Sequence, residues 1–167
     1  MSTVPGSAHL PALSHHEQAA IGGLLQATLV DLVDLTLLGK QLHWSVVGPH
    51  FRPLHLQLDE CVERWRELAD TVAERAVAIG CWPDGQASTV AATSQGVALD
   101  AGAVQDQALV YRLTHRLAEI GERNRERMNR LGELDPASED VLIEVVRELE
   151  TQLWMFRAQL TSGRADA

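Results

Sequence analysis

The chain is short of cysteine, lysine and aromatic residues, and each shortage removes a class of protein. Its two cysteines, Cys61 and Cys81, lie twenty residues apart with no CxxC pair. They indicate neither a disulfide framework nor a thiolate zinc site. A single lysine, Lys40, accompanies thirteen arginines, and the formal charge is -9. A surface of that sign does not attract nucleic acid as a whole, and metal cations suit it better. No apolar run led by Lys or Arg opens the sequence, and no stretch reads as the roughly 18 apolar residues of a membrane span. Neither an export signal nor a membrane anchor is expected. A reducing cytoplasm fits, with association to the nucleoid as a variant of that address. Aromatics at 4%, against many Leu, Ala, Val and Glu, favour helices over sheets.

What is present organises into one domain. Residues 1–13 hold two Pro and one Gly and read as a flexible N-terminal tail, and residues 163–167 as a C-terminal one. Between them, residues 14–162 carry four long apolar stripes of helical period. Ser14 with Glu17 forms a capping box, followed by Ile21, Leu24, Leu25, Thr28, Leu32, Leu35 and Leu42. Gly48 and Pro49 break this helix near Trp44. Pro53 then sits in the first turn of a second helix that runs to Gly80. Residues 81–103 turn small and polar, which predicts a long crossover with one short helix at Ser88–Thr93. The third helix spans about Val104–Leu131, and Asp135-Pro136 opens a fourth through Leu142, Val145, Leu149 and Phe156. The expected fold is an all-α four-helix bundle, the crossover letting the third helix enter from the far end.

The second helix concentrates the chemistry. His55 and Asp59 are four apart, as are Asp70 and Glu74, and all four lie on one side of the helix. His43, in the last turn of the first helix, adds a second imidazole if the two helices form a hairpin. Two histidines and a carboxylate suit Fe(II) or Zn(II). Carboxylates i, i+4 on a long helix are also common on a plain solvated face. Asp59 and Asp70, eleven residues apart, are separated by about 16 Å along the axis, so one ion cannot touch both. The half-sites meet only if a second copy of this helix crosses antiparallel near Arg64-Trp65, as two-fold symmetry supplies. That produces two equal sites about 22 Å apart.

The run Lys40-Gln-Leu-His43-Trp44, then Gly48-Pro-His50-Phe51, Leu54-His55 and Asp59, with Asp70-x-x-x-Glu74-Arg75 and Leu153-Trp154-Met155, resembles the signature of the Dps family, the mini-ferritins. The resemblance implies a ferritin-like four-helix bundle assembling into a hollow dodecamer. It implies iron as the metal, with ferroxidase centres at two-fold interfaces. His43, His55 and Asp59 would come from one subunit, and Asp70 and Glu74 from its mate. The implied activity is oxidation of Fe(II) by hydrogen peroxide or dioxygen and storage of ferric mineral, protecting against oxidative stress. Ordinary ferritin centres use Glu-x-x-His motifs, which this sequence lacks.

Around that core, Lys40 lies one turn before His43 and is expected to pair with Asp59 and compete with a second cation. Trp44 is either a sacrificial electron donor or an ordinary core or interface aromatic. Asp135 and Asp140 match the step of ion-entry pore aspartates in some family members, though acids at a helix start also complement its dipole. Glu60, Glu63 and Glu67 either nucleate mineral or form a solvated face. His9, His15 and His16 are either a second metal site or exposed histidines. The family name also implies a DNA-compacting structural role. Here residues 1–13 hold no Lys or Arg, and the final seven residues hold Arg164 balanced by Asp166, so direct DNA binding is disfavoured.

Overall fold

The computed structural model describes residues 13–160. Five helices run in the order α1 (His15–Ser45), α2 (Phe51–Ala78), α3 (Ala87–Thr93), α4 (Asp106–Gly132) and α5 (Pro136–Leu160). Helices α1 and α2 form one hairpin and α4 and α5 the other, and the two hairpins close into the expected bundle. The capping box at Ser14 is formed: Glu17 N–H donates to Ser14 Oγ at 3.2 Å, and Ser14 N–H to Glu17 Oε2 at 2.7 Å. The α1–α2 turn uses Gly48 at φ +124°, and α2 stops before Gly80 at φ +86°, both in the region glycine favours.

One element escaped the sequence. Val46–Val47, directly after α1, pairs in parallel with Val104–Gln105, directly before α4, in the register Val46 with Val104 and Val47 with Gln105. Two-residue strands leave no detectable alternation, so periodicity cannot find them. The expected tail boundaries mostly fall outside the described residues; Leu13, the last residue of the N-terminal one, packs partly buried against the core.

Trp65 sits fully buried on α2 and donates its indole N–H to Gln152 Oε1 of α5 at 2.5 Å. Gly39 of α1 makes room for it, since a Cβ there would lie 2.5 Å from the ring. Buried ion pairs join α1 to α4: Asp31 takes Arg123 at 2.8 Å and Arg127 at 2.6 Å, and Asp34 takes Arg116 at 2.5 Å. These pairs bear on the membrane question. By length and composition α1 is apolar enough to cross a membrane, with a window of mean hydropathy 1.6, which the sequence reading did not anticipate. Half of that window is buried inside the bundle. The two aspartates are matched by arginines of the same chain, so α1 is built as a core helix.

Candidate metal centre

The turn after α1 brings its last residues over the first turns of α2. His43 is buried, and its ring stacks on that of His55 with centroids 3.6 Å apart and planes 22° from parallel. The contacts are reciprocal: His43 Nδ1 lies 2.9 Å from the His55 carbonyl, and His55 Nδ1 3.0 Å from the His43 carbonyl. A carbonyl only accepts, so each Nδ1 carries the proton. The Nε2 lone pair of both rings is thereby left for a metal, the usual way a backbone contact sets a ligand tautomer. Phe51 backs His55, ring centroids 5.1 Å apart.

Asp59, one turn further along α2, completes the group. Ligand atoms of His43, His55 and Asp59 all lie within 4.8 Å of one another, forming the one such cluster among the described residues, so the three side chains are near enough to share one cation. Lys40 Nζ sits 2.6 Å from Asp59 Oδ1, as expected from its position one turn before His43, and the same oxygen lies 3.3 Å from His43 Nδ1. The hydrogen bond from Lys40 holds the Asp59 carboxyl below the usual carboxylate range against the opposing effect of desolvation, helped by His43. Trp44 is 71% exposed, with Lys40 Nζ 6.0 Å from its ring centre.

Asp70 and Glu74 are not part of this group. Both are exposed on α2, and neither has a hydrogen bond or ion pair among the described residues. Their neighbour Arg75 is tied down, with Nε donating to Ser138 Oγ at 2.9 Å and Nη2 meeting Asp135 Oδ2 at 2.6 Å. Desolvation would raise the Asp135 carboxyl, but Ser138 and Arg75 outweigh it and hold it low. Asp135 therefore spends its charge inside the chain, at the start of α5. Asp140 remains exposed, beside a cavity of about 420 Å³ with Arg64 and Glu144. Glu67 and Glu144 are both paired with Arg64, and Glu63 approaches Arg66 at 3.8 Å. His15 and His16 are exposed at the start of α1, and His9 lies outside the described residues.

Sequence reasoning missed the reciprocal histidine contacts, the Arg75–Asp135 pair and the carboxylate of Asp106. That carboxylate accepts from both the backbone N–H and the ring Nδ1 of His50, each at 2.9 Å. The only available signal was an acid at a helix start, which ordinarily reads as a dipole effect.

Residues 23–165 match the ferritin-like domain family. The helical fold and this match thus define a ferritin-like helical protein. Among curated proteins, the chain is 34% identical to the fine tangled pili major subunit of Haemophilus ducreyi, over 98% of this chain and 84% of that one. It is also 34% identical to the DNA protection during starvation protein of Mycolicibacterium smegmatis, over 92% and 84%. The solved tetragonal form of Mycobacterium smegmatis Dps superposes with a TM-score of 0.88 at 32% identity, covering 98% of this chain and 96% of that one. The chain belongs to the Dps family, whose general business is iron storage and DNA protection.

Proposed function

We propose that this protein is a ferroxidase that takes Fe(II) as substrate at sites shared between two copies of itself and stores the ferric product inside a hollow, dodecameric shell. The observation that carries the reading is the His43–His55–Asp59 group, in which both Nδ1 atoms are committed to backbone carbonyls and Nε2 is the nitrogen available to a metal. Its complement is on the same helix: Asp70 and Glu74 are carboxylates without partners among the described residues. Crossing two α2 helices about a two-fold axis supplies those carboxylates to the neighbour's histidines. The solved relatives support oligomeric assembly in general.

The chemistry follows from the ligand types. Neutral imidazoles receive Fe(II), and hard anionic carboxylates favour Fe(III), which lowers the cost of removing an electron. Each Fe(II) gives one electron. Hydrogen peroxide accepts two as its O–O bond breaks, leaving as hydroxide or water, so two irons per peroxide avoid release of hydroxyl radical; dioxygen is the alternative oxidant. Removing both reactants protects DNA without touching it, which agrees with a charge of -9 per chain, roughly -108 for twelve. Trp44, beside His43, is placed to be covered by the partner or to give up an electron. For admitting cations, Asp140 offers a free carboxylate where Asp135 does not, so Asp140 would do the attracting at a three-fold pore. Free Cys61 and Cys81 suit a reducing cytoplasm.

The test mixes the protein anaerobically with Fe(II) and then hydrogen peroxide. Ferric absorbance should rise rapidly in the wild type and be lost in the Asp70→Ala/Glu74→Ala variant. Equal rates in the two proteins would sink the shared site.

A further inference from the structure

The geometry of the histidine pair depends on a turn of five residues, and that turn is held from outside the hairpin. His43 and His55 lie on different helices, joined through residues 46–50. Each histidine's Nδ1 must reach the other's carbonyl within 3.0 Å while the rings stack at 3.6 Å. A small shift of α2 against α1 would break both contacts and free the rings to turn.

Three contacts fix the turn, and all come from residues 104–106. Val46 and Val47 pair with Val104 and Gln105. His50, the residue before α2, gives its backbone N–H and its ring Nδ1 to one oxygen of Asp106, each at 2.9 Å. Between them, Gly48 presses its backbone onto the same carboxylate: a Cβ there would lie 2.8 Å from Asp106 Cγ and 2.9 Å from Oδ2. Asp106 itself is fixed, because its other oxygen accepts the Gln107 N–H at 2.7 Å and the residue is only 5% exposed. The backbone N–H of His50 is the main reason its carboxyl sits below the usual range.

We propose that Asp106, the first residue of α4, is a positioning residue of the metal centre. It holds the α1–α2 turn at the one geometry in which His43 and His55 lock each other's tautomers. The chain would thus use the end of its long crossover to build a site on the other hairpin. The inference rests on the metal reading of the His43–His55–Asp59 group. Supports of this kind around metal ligands typically change affinity about 10- to 100-fold when removed.

The experiment compares Asp106→Ala with Asp34→Ala in the full-length protein. Asp34 pairs with Arg116 and, among the described residues, has no hydrogen bond or ion pair to His43, His55 or Asp59, so its variant measures general destabilisation. Asp106→Ala should weaken anaerobic Fe(II) binding, read by calorimetry, by about tenfold or more. Asp34→Ala should lower the melting temperature yet bind within twofold of wild type. A folded Asp106→Ala protein with wild-type affinity overturns the proposal, as does equal weakening in both variants. A crystal structure of metal-free Asp106→Ala gives a readout independent of iron. Loss of the reciprocal histidine–carbonyl contacts supports the role, and their retention overturns it, even if wild type itself fails to bind Fe(II). That last failure would count against the ferroxidase reading alone.

Discussion

The two ends of α2 carry the same kinds of ligand in opposite states. At its start, His55 and Asp59 are gripped by α1: stacked on His43, tied to a backbone carbonyl, paired with Lys40. Towards its end, Asp70 and Glu74 stand exposed with no partner among the described residues. One helix therefore holds a gripped group of candidate ligands and a bare pair of carboxylates. Isolated carboxylates cost little in water, so the bare pair is tolerable in a single chain. The difference teaches that preorganisation lies with the imidazoles; under the proposed function, the carboxylates would gain their role from another copy.

The strongest way to break this comparison is complementation. A His43→Ala/His55→Ala chain and an Asp70→Ala/Glu74→Ala chain should each be inactive alone. Unfolded together and refolded as a 1:1 mixture, half the dimers are mixed, and each mixed dimer has one of two sites intact. About a quarter of wild-type ferroxidation should return, by the symmetry of an isologous pair. If all five ligands served one chain, the mixture would stay dead.

A smaller difference should appear in stability. His43→Ala removes a buried ring and the contact its Nδ1 makes to the His55 carbonyl, which keeps its place in the α2 backbone ladder, and should cost roughly 1–3 kcal/mol in urea unfolding of metal-free protein. Asp70→Asn with Glu74→Gln should stay within about 0.5 kcal/mol. Equal losses would mean that the carboxylates are as engaged as the histidines.

Acid separates the supports behind the two ends. Asp106 behind the first and Asp135 behind the second both have carboxyls held below the ordinary range. A carboxyl lowered in the folded state contributes stability above its unfolded value, about 3.9, and loses it as pH falls through the folded value. Melting temperature should therefore fall steeply below about pH 4. Asp135→Asn should lower it at pH 6 and flatten that acid slope, whereas an unchanged slope would show that Asp135 takes no part in it.

How much of this was visible beforehand depended on range. Periodicity and punctuation placed all four long helices because Gly48, Gly80 and Pro136 act locally. The His43–His55–Asp59 grouping was legible because i, i+4 spacing fixes which residues share a face, and the gap between Asp59 and Asp70 is what made the proposal call on a second copy. The Asp106–His50 contact was not legible, since it joins positions fifty-six apart through a turn whose path no local rule fixes. Arg75–Asp135 hid for the same reason, and it gives Asp135 a partner within the described residues that its place at a helix start did not announce.

The smallest expected effect concerns Lys40. Its ammonium lies 2.6 Å from Asp59, in the space where a second cation would approach the gripped group. Wild type should then bind one tight and one weak Fe(II) per site. Because the pair is partly exposed and screened, Lys40→Ala should strengthen the weak step only about two- to fivefold. Calorimetric titration distinguishes the cases directly. Two equally tight irons per site in wild type would show that the ammonium moves aside without cost, and the contrast between the gripped and bare ends of α2 would then lie in the histidines alone.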